Sequence, residues 1–247
     1  MIKKIYLIGI GPGHPRYLTL EAVELIKKLP LFLLPLKQGK KKELTEKRKE
    51  IIFGLREDKN FRIIEIPFPE RKKASDYKNA VSKWRNKKVE ILEKVLLREK
   101  DREAGFLVWG DPSLYDGHIE IFKELRKKLA FELEVIPGIS AFQVLSARHR
   151  ISLTSIAGSL IFTTPRKLKT MLNLQENTLV FLDNYETYSR LEEDFQIYWG
   201  AYLGTEKEVL ISGKLYEVKE KIQKLRRELR KKYGWIMELY FLKIQEK

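Results

Sequence analysis

Three short segments carry the residue types that a small-molecule site needs. Gly9-Ile10-Gly11-Pro12-Gly13 places three glycines in five positions directly after an apolar run. Without a Cβ, such glycines let backbone come close to a ligand or to another strand. Trp109-Gly110-Asp111-Pro112-Ser113-Leu114-Tyr115 sets a carboxylate (Asp111) and a phenol (Tyr115) at the mouth of a second glycine turn, stiffened by Pro112. Pro137-Gly138-Ile139-Ser140-Ala141 offers free backbone N–H groups and small side chains, which suit a carboxylate or a ribose at the start of a helix.

Each segment also has a purely structural reading. The first resembles a dinucleotide fingerprint only in part. It has no third glycine at a helix start, and no acidic residue follows in 29–36 to hold a ribose hydroxyl. Pro12 also removes an N–H that a pyrophosphate cradle would use. A tight turn that brings backbone against backbone fits equally well. Asp111 can likewise cap the next helix rather than meet a ligand.

The surrounding pattern says how these segments are held. Residues 5–10 are a continuous apolar run ending at glycine, which predicts a buried parallel strand. A helical period follows over 19–28, with Thr19 as N-cap. Strands are expected at 31–34, 62–66, 105–109 and 131–136, and helices at 44–55, 76–100 and 119–129. Such alternation implies an α/β fold with a mostly parallel N-terminal sheet. Past Pro137 the spacing changes. A helix at 141–147 precedes strands near 160–163, 179–182, 197–202 and 209–213, then a basic helix over 218–232 and a closing strand at 235–244. This predicts an N-terminal α/β domain over 1–137 and a C-terminal α/β domain with a mixed sheet over 138–247. In an open parallel sheet, ligands bind at the carboxyl ends of strands. The three glycine segments should therefore converge on one sheet edge.

The 247-residue chain is 43% hydrophobic and 34% charged, enough for one sizeable core or two modest ones. No apolar run reaches the roughly 18 residues that span a bilayer, and the first strand runs into glycine rather than a cleavage site. A soluble cytoplasmic protein with no membrane partner is expected. There is no cysteine, which excludes disulfides and thiolate chemistry. His14, His118 and His149 have no ligand spacing, so no metal is expected. The net charge of +15 fits either a solvated lysine-rich surface or an anionic partner. The basic stretches 37–49 and 219–232 are interleaved with glutamates, as solvated helix faces are. No base-reading or stacking motif accompanies the charge, so no nucleic-acid partner is expected. A basic nucleic-acid-binding module stays the alternative from another class, and it predicts a steep salt dependence.

Tyr6 to Pro15 with Leu18-Thr19 and Ala22, then Gly110-Asp111-Pro112, then Pro137-Gly138-Ile139-Ser140, resemble in order and separation the three signatures of the tetrapyrrole (corrin/porphyrin) methylases. Ala141 stands where the third signature usually has a second serine. The resemblance spans nearly the whole chain. It is strongest toward the deacetylating branch through Asp76-Tyr77, Trp84, residues 106–116, 147–151, 197–205, 210–213 and 234–237. One departure is Leu36, where an aspartate is expected before Lys37.

The resemblance implies two α/β domains with S-adenosylmethionine in the cleft between them, S-adenosylhomocysteine as product, and a homodimer. It assigns the cofactor to Pro12, Trp109, Gly110, Asp111, Leu114, Ser140, Ala141, Asp183, Ala201, Tyr202, Leu203, Trp235, Ile236 and Met237, mostly through backbone groups. It implies methylation of ring carbon C1 of precorrin-5 with loss of the acyl group as acetate, giving precorrin-6A. Another precorrin methylase, or a diphthine-type enzyme acting on a protein, is the alternative within the family. Deacylation needs a water and a base, for which Asp111, Tyr115, Asp76 and His149 are the candidates. The polycarboxylate tetrapyrrole points to Arg71, Arg85, Arg148 and Arg150, with Tyr77, as substrate contacts, because guanidinium binds carboxylate bidentately.

Overall fold

A computed structural model describes residues 2–37, 39, 42–71, 76–171, 174–191 and 195–244. The chain divides into two compact units, 1–140 and 141–247.

In the first unit, β1 (Lys4–Gly9), β2 (Leu31–Pro35), β3 (Arg62–Ile66), β4 (Glu103–Val108) and β5 (Glu132–Ile136) form one sheet in the order β3-β2-β4-β1-β5. Every pairing is parallel. The helices are α1 (Leu20–Lys28), α2 (Lys42–Leu55), α3 (Tyr77–Arg98) and α4 (His118–Arg126). The apolar strands feed both faces because successive side chains point to opposite sides. Ile5 and Leu7 of β1 join Val89, Leu92 and Leu96 of α3 and Phe122 and Leu125 of α4 in one core. Tyr6 and Ile8 join Leu25 and Ile26 of α1 and Ile51 and Ile52 of α2 in the other. A helix layer on each face explains why β1 and β2 read as unbroken hydrophobic runs.

The central strands β4, β1 and β5 are adjacent and parallel, so the loops leaving them all open at one edge. These loops are the three glycine segments. Helices α3 and α4 follow β3 and β4 after loops that leave the sheet at its carboxyl edge.

In the second unit, α5 (Ala141–His149), β6 (Leu160–Thr163), α6 (Pro165–Leu168), β7 (Asn177–Phe181), β8 (Gln196–Ala201), β9 (Val209–Lys214), α7 (Leu215–Tyr233) and β10 (Glu238–Lys243) follow in sequence. The sheet order is β6-β7-β10-β8-β9. Only β6 and β7 pair in parallel, and the other pairs are antiparallel. Leu215, Ile222 and Leu229 of α7 pack onto Val180, Ile197, Trp199 and Tyr240.

Several element limits differ from the sequence reading. The long third helix starts at Tyr77 because Asp76 caps it. α7 begins at Leu215, three residues early, and runs to a left-handed Gly234. The last strand is shorter than 235–244, since Trp235, Ile236 and Met237 precede its ladder. Among the described residues no helix is long and apolar enough to cross a membrane.

Candidate functional site

The three strand-end loops of the first unit are knit together through backbone. Gly11 and Gly110 form an antiparallel bridge, with Gly110 N–H donating to Gly11 O at 2.9 Å and Gly11 N–H to Gly110 O at 3.3 Å. A Cβ on Gly138 would lie 2.2 Å from Gly110 O and 2.8 Å from Gly9 Cα. Gly11 and Gly110 have φ of 67° and 65°, a region that costs other residues strain. So the tight-turn reading of the first segment holds, and the same closeness assembles a cradle from all three segments.

Asp111 is the clasp of this cradle. Its Oδ1 accepts the Ser113 N–H at 2.8 Å and also the Ser113 hydroxyl, and its Oδ2 accepts the Gly138 N–H at 2.8 Å. One of the N–H groups expected to be free for a ligand is therefore already used. The structure gives the Asp111 side chain a joining role between two loops rather than an open carboxylate. Pro12 is buried, while Gly110, Leu114 and Ala141 keep partial exposure. Ser140 is 5% exposed, with its Oγ 3.8 Å from the point a Gly110 Cβ would occupy. Trp109 leaves its indole Nε1 buried with no hydrogen-bond partner among the described residues. A buried donor without an acceptor is costly.

The other proton-transfer candidates fare differently. Asp76 is an N-cap whose carboxylate accepts the Asn79 N–H at 3.0 Å, which gives it a role in starting α3. Tyr115 is about half exposed with φ 53°, and partial desolvation pushes its pKa up, which opposes a role as base. His149 lies at the end of α5, its Nε2 3.3 Å from Trp199 O. Burial lowers its pKa, which keeps the ring neutral at pH 7.

Asp183 is wholly buried, and its carboxylate takes four donors: the Tyr185 and Thr187 N–H groups, the Thr187 hydroxyl and the Tyr240 hydroxyl at 2.8 Å. All its acceptor sites are occupied. The Asp183 side chain is thus a hub of the second unit. Ala201, Tyr202 and Leu203 are buried at the end of β8. The Tyr202 N–H donates to Met237 O at 2.8 Å and its hydroxyl to Trp235 O. This brings the 201–203 and 235–237 segments together, with Ile236 8% exposed. Trp235 Nε1 is a second buried indole donor without a partner among the described residues.

The expected substrate contacts fall in both units. Arg71 donates to the Tyr77 hydroxyl at 3.0 Å and lies over its ring. Tyr77 and Arg85 line a groove of about 540 Å³ between α3 and α4. Arg148 pairs with Glu208 at 2.7 Å, and Arg150 is exposed with φ 56°. Arg71, Tyr77 and Arg85 belong to the first unit, and Arg148 and Arg150 to the second.

Sequence reading missed a cluster beside the cradle. Asp116 follows Tyr115, and its Oδ1 accepts both the His118 N–H at 2.8 Å and His118 Nδ1 at 2.7 Å. His118 Nε2 is 3.3 Å from Lys88 Nζ. Lys88 is 4% exposed and lies over the rings of Trp84 and Phe68. The Asp-x-His spacing was visible, but its lysine is 28 residues away.

The profile of the tetrapyrrole (corrin/porphyrin) methylases matches residues 4–219, and the chain belongs to this family. It is 38% identical over 249 residues, 98% of this chain and 95% of the other, to a precorrin-6A synthase (deacetylating) of Sinorhizobium sp.. A cobalamin-synthesis-related protein from Corynebacterium diphtheriae is 31% identical, covering 98% of this chain and 99% of that one, with a TM-score of 0.82. Uroporphyrin-III C-methyltransferase from Thermus thermophilus, in complex with S-adenosylhomocysteine, shares the fold at 18% identity, with a TM-score of 0.62 over 97% of this chain and 92% of that one.

Proposed function

We propose that this chain is an S-adenosylmethionine-dependent C-methyltransferase that methylates C1 of precorrin-5 with loss of the acyl group as acetate, giving precorrin-6A. The reading is supported by the full-length similarity to a deacetylating precorrin-6A synthase. The observation that carries it is the glycine cradle at the carboxyl edge of β1, β4 and β5, with the buried Trp109 Nε1 beside it. Indole donors at Trp109 and Trp235 that have no partner among the described residues, together with close backbone, suit a ligand rich in carboxylate, hydroxyl and ring-nitrogen acceptors.

The residues proposed to hold S-adenosylmethionine are Pro12, Trp109, Gly110, Leu114, Ser140, Ala141, Ala201, Tyr202, Leu203 and Trp235 to Met237, with Asp111 and Asp183 shaping the backbone around them. When bound, the cofactor supplies a methyl group that is already electrophilic. The protein's part is to orient and to exclude water, a proximity effect. His149 is the proposed base for the deacylating water. Its ring is neutral, and an Nε2–H toward Trp199 O would leave Nδ1 to accept a proton. Arg71, Tyr77, Arg85, Arg148 and Arg150 remain the proposed contacts to the carboxylated substrate. The reading includes a homodimer acting in the cytoplasm.

Calorimetric titration with S-adenosylhomocysteine, with NAD as control, tests the cofactor. Product mass after turnover with precorrin-5 tests the reaction. A gained methyl together with free acetate is expected. Methylation without acetate release would move the chain to another branch of the family.

A further inference from the structure

Two buried cations stand at the carboxyl edge of the first sheet, and neither makes an ion pair among the described residues. Arg48 of α2 is 6% exposed. Its Nε donates to Leu107 O at 3.0 Å and its Nη1 to Leu44 O at 2.9 Å, and it lies over the Trp109 ring. Lys88 of α3 has its Nζ 3.3 Å from Nε2 of the neutral His118 and lies over the Phe68 and Trp84 rings. Among the described residues neither has an acid within ion-pair distance, although buried charges are normally paired. Burial lowers Arg48 to about 10 and Lys88 to about 8. Lys37, at the end of β2, and Arg85, beside Gly117, add to the positive field on Lys88. Among the described residues, Asp116 is the carboxylate that opposes this field. Burial alone would raise its pKa, but its bonds to His118 hold it below the ordinary range. His118, lowered by burial, adds no charge.

We propose that Lys37, Arg48, Arg85 and Lys88 form a carboxylate subsite, centred on the Asp116–His118 pair, that takes one acetate or propionate group of the tetrapyrrole. An arriving carboxylate adds counter-charge to a cluster whose four cations face, among the described residues, the single carboxylate of Asp116. Arg85 is exposed and Lys37 half-buried, so these two meet the ligand directly, and Arg48 and Lys88 act as a fixed positive field behind them. The subsite rests on the methyltransferase reading for the identity of its ligand. The cofactor's own carboxylate is the competing source of the same chemistry.

The test titrates full-length protein with uroporphyrin, an octacarboxylate porphyrin, and separately with S-adenosylhomocysteine. Arg85→Gln and Lys37→Gln should each weaken porphyrin binding about five- to tenfold and flatten its salt dependence, with S-adenosylhomocysteine affinity unchanged. Arg85→Lys should recover part of the loss. In protein labelled with ¹³C at lysine Cε, saturation with porphyrin should raise the titration midpoint of Lys88. Unchanged porphyrin affinity in both glutamine variants overturns the subsite, as does loss of S-adenosylhomocysteine affinity alone. Failure of wild-type protein to bind S-adenosylhomocysteine would instead remove the methyltransferase reading.

Discussion

Arg226 shows what a single buried side chain does in this protein. It is 1% exposed and forks onto Glu238, with Nε 2.7 Å from Oε2. Glu238 Oε2 also accepts the Trp199 indole N–H at 2.8 Å, and a second guanidinium nitrogen reaches Asp183 O. Arg226 Nη1 lies 2.5 Å from Glu186 but is not aligned for a hydrogen bond. Burial pushes the Glu238 pKa up, and Arg226 works against that push. Removing one partner leaves the other charge buried and unpaired. Arg226→Met should therefore cost roughly 3–5 kcal/mol in urea unfolding, and Arg226→Met with Glu238→Gln should cost less. Asp111 joins loops rather than capping a helix. Asp111→Asn can turn an NH₂ toward the Gly138 N–H, and S-adenosylhomocysteine affinity should fall about tenfold with the fold retained. Calorimetry on the variant, beside its circular dichroism, checks this.

At the scale of elements, helix α3 and the glycine cradle make opposite predictions. Asp76 caps α3, so Asp76→Ala should lower stability by about 1 kcal/mol and leave turnover unchanged. A large loss of kcat with an intact fold would return Asp76 to the chemistry. Gly138 has no room for a methyl group, because Gly110 O and the Gly9 backbone already occupy it. Gly138→Ala must push apart two loops of adjacent strands. It should abolish S-adenosylhomocysteine binding and lower the thermal midpoint of the protein. Thermal unfolding with and without S-adenosylhomocysteine reads both effects.

At the scale of the molecule, charge sets the pH response. Lys88 is held near 8 in the folded protein against 10.5 for its ordinary value. Between these values the unfolded chain binds a proton that the native protein does not, so stability rises with pH through that window. The penalty is fully present below about 8 and gone above about 10.5, with a ceiling of about 3 kcal/mol from the size of the shift. Above pH 10 the buried Tyr188 and Tyr240, raised by desolvation, act the other way. Urea midpoints of wild type and Lys88→Met, compared from pH 7 to 10, should converge as pH rises. Parallel curves would mean that Lys88 is not strained by its burial.

Local pattern was enough for the α/β class, the parallel first sheet and the three glycine segments, because strand burial and helix period are written in neighbouring residues. The Thr19 cap and the unbroken apolar run of β1 needed nothing more distant. Roles that depend on partners far along the chain were decided only by tertiary structure. Asp183 reads as a strand-end acid, yet packing gives it Tyr240 from 57 residues on. Asp111 reads as a cap or a ligand group, and its second oxygen meets Gly138 because β4 and β5 flank β1. Lys88 reads as one more charge on a solvated helix, but its turn faces Phe68 and His118. Periodicity reports whether a position is buried. It does not report which distant group shares the burial, and that group decides whether a charge is satisfied or left for a ligand.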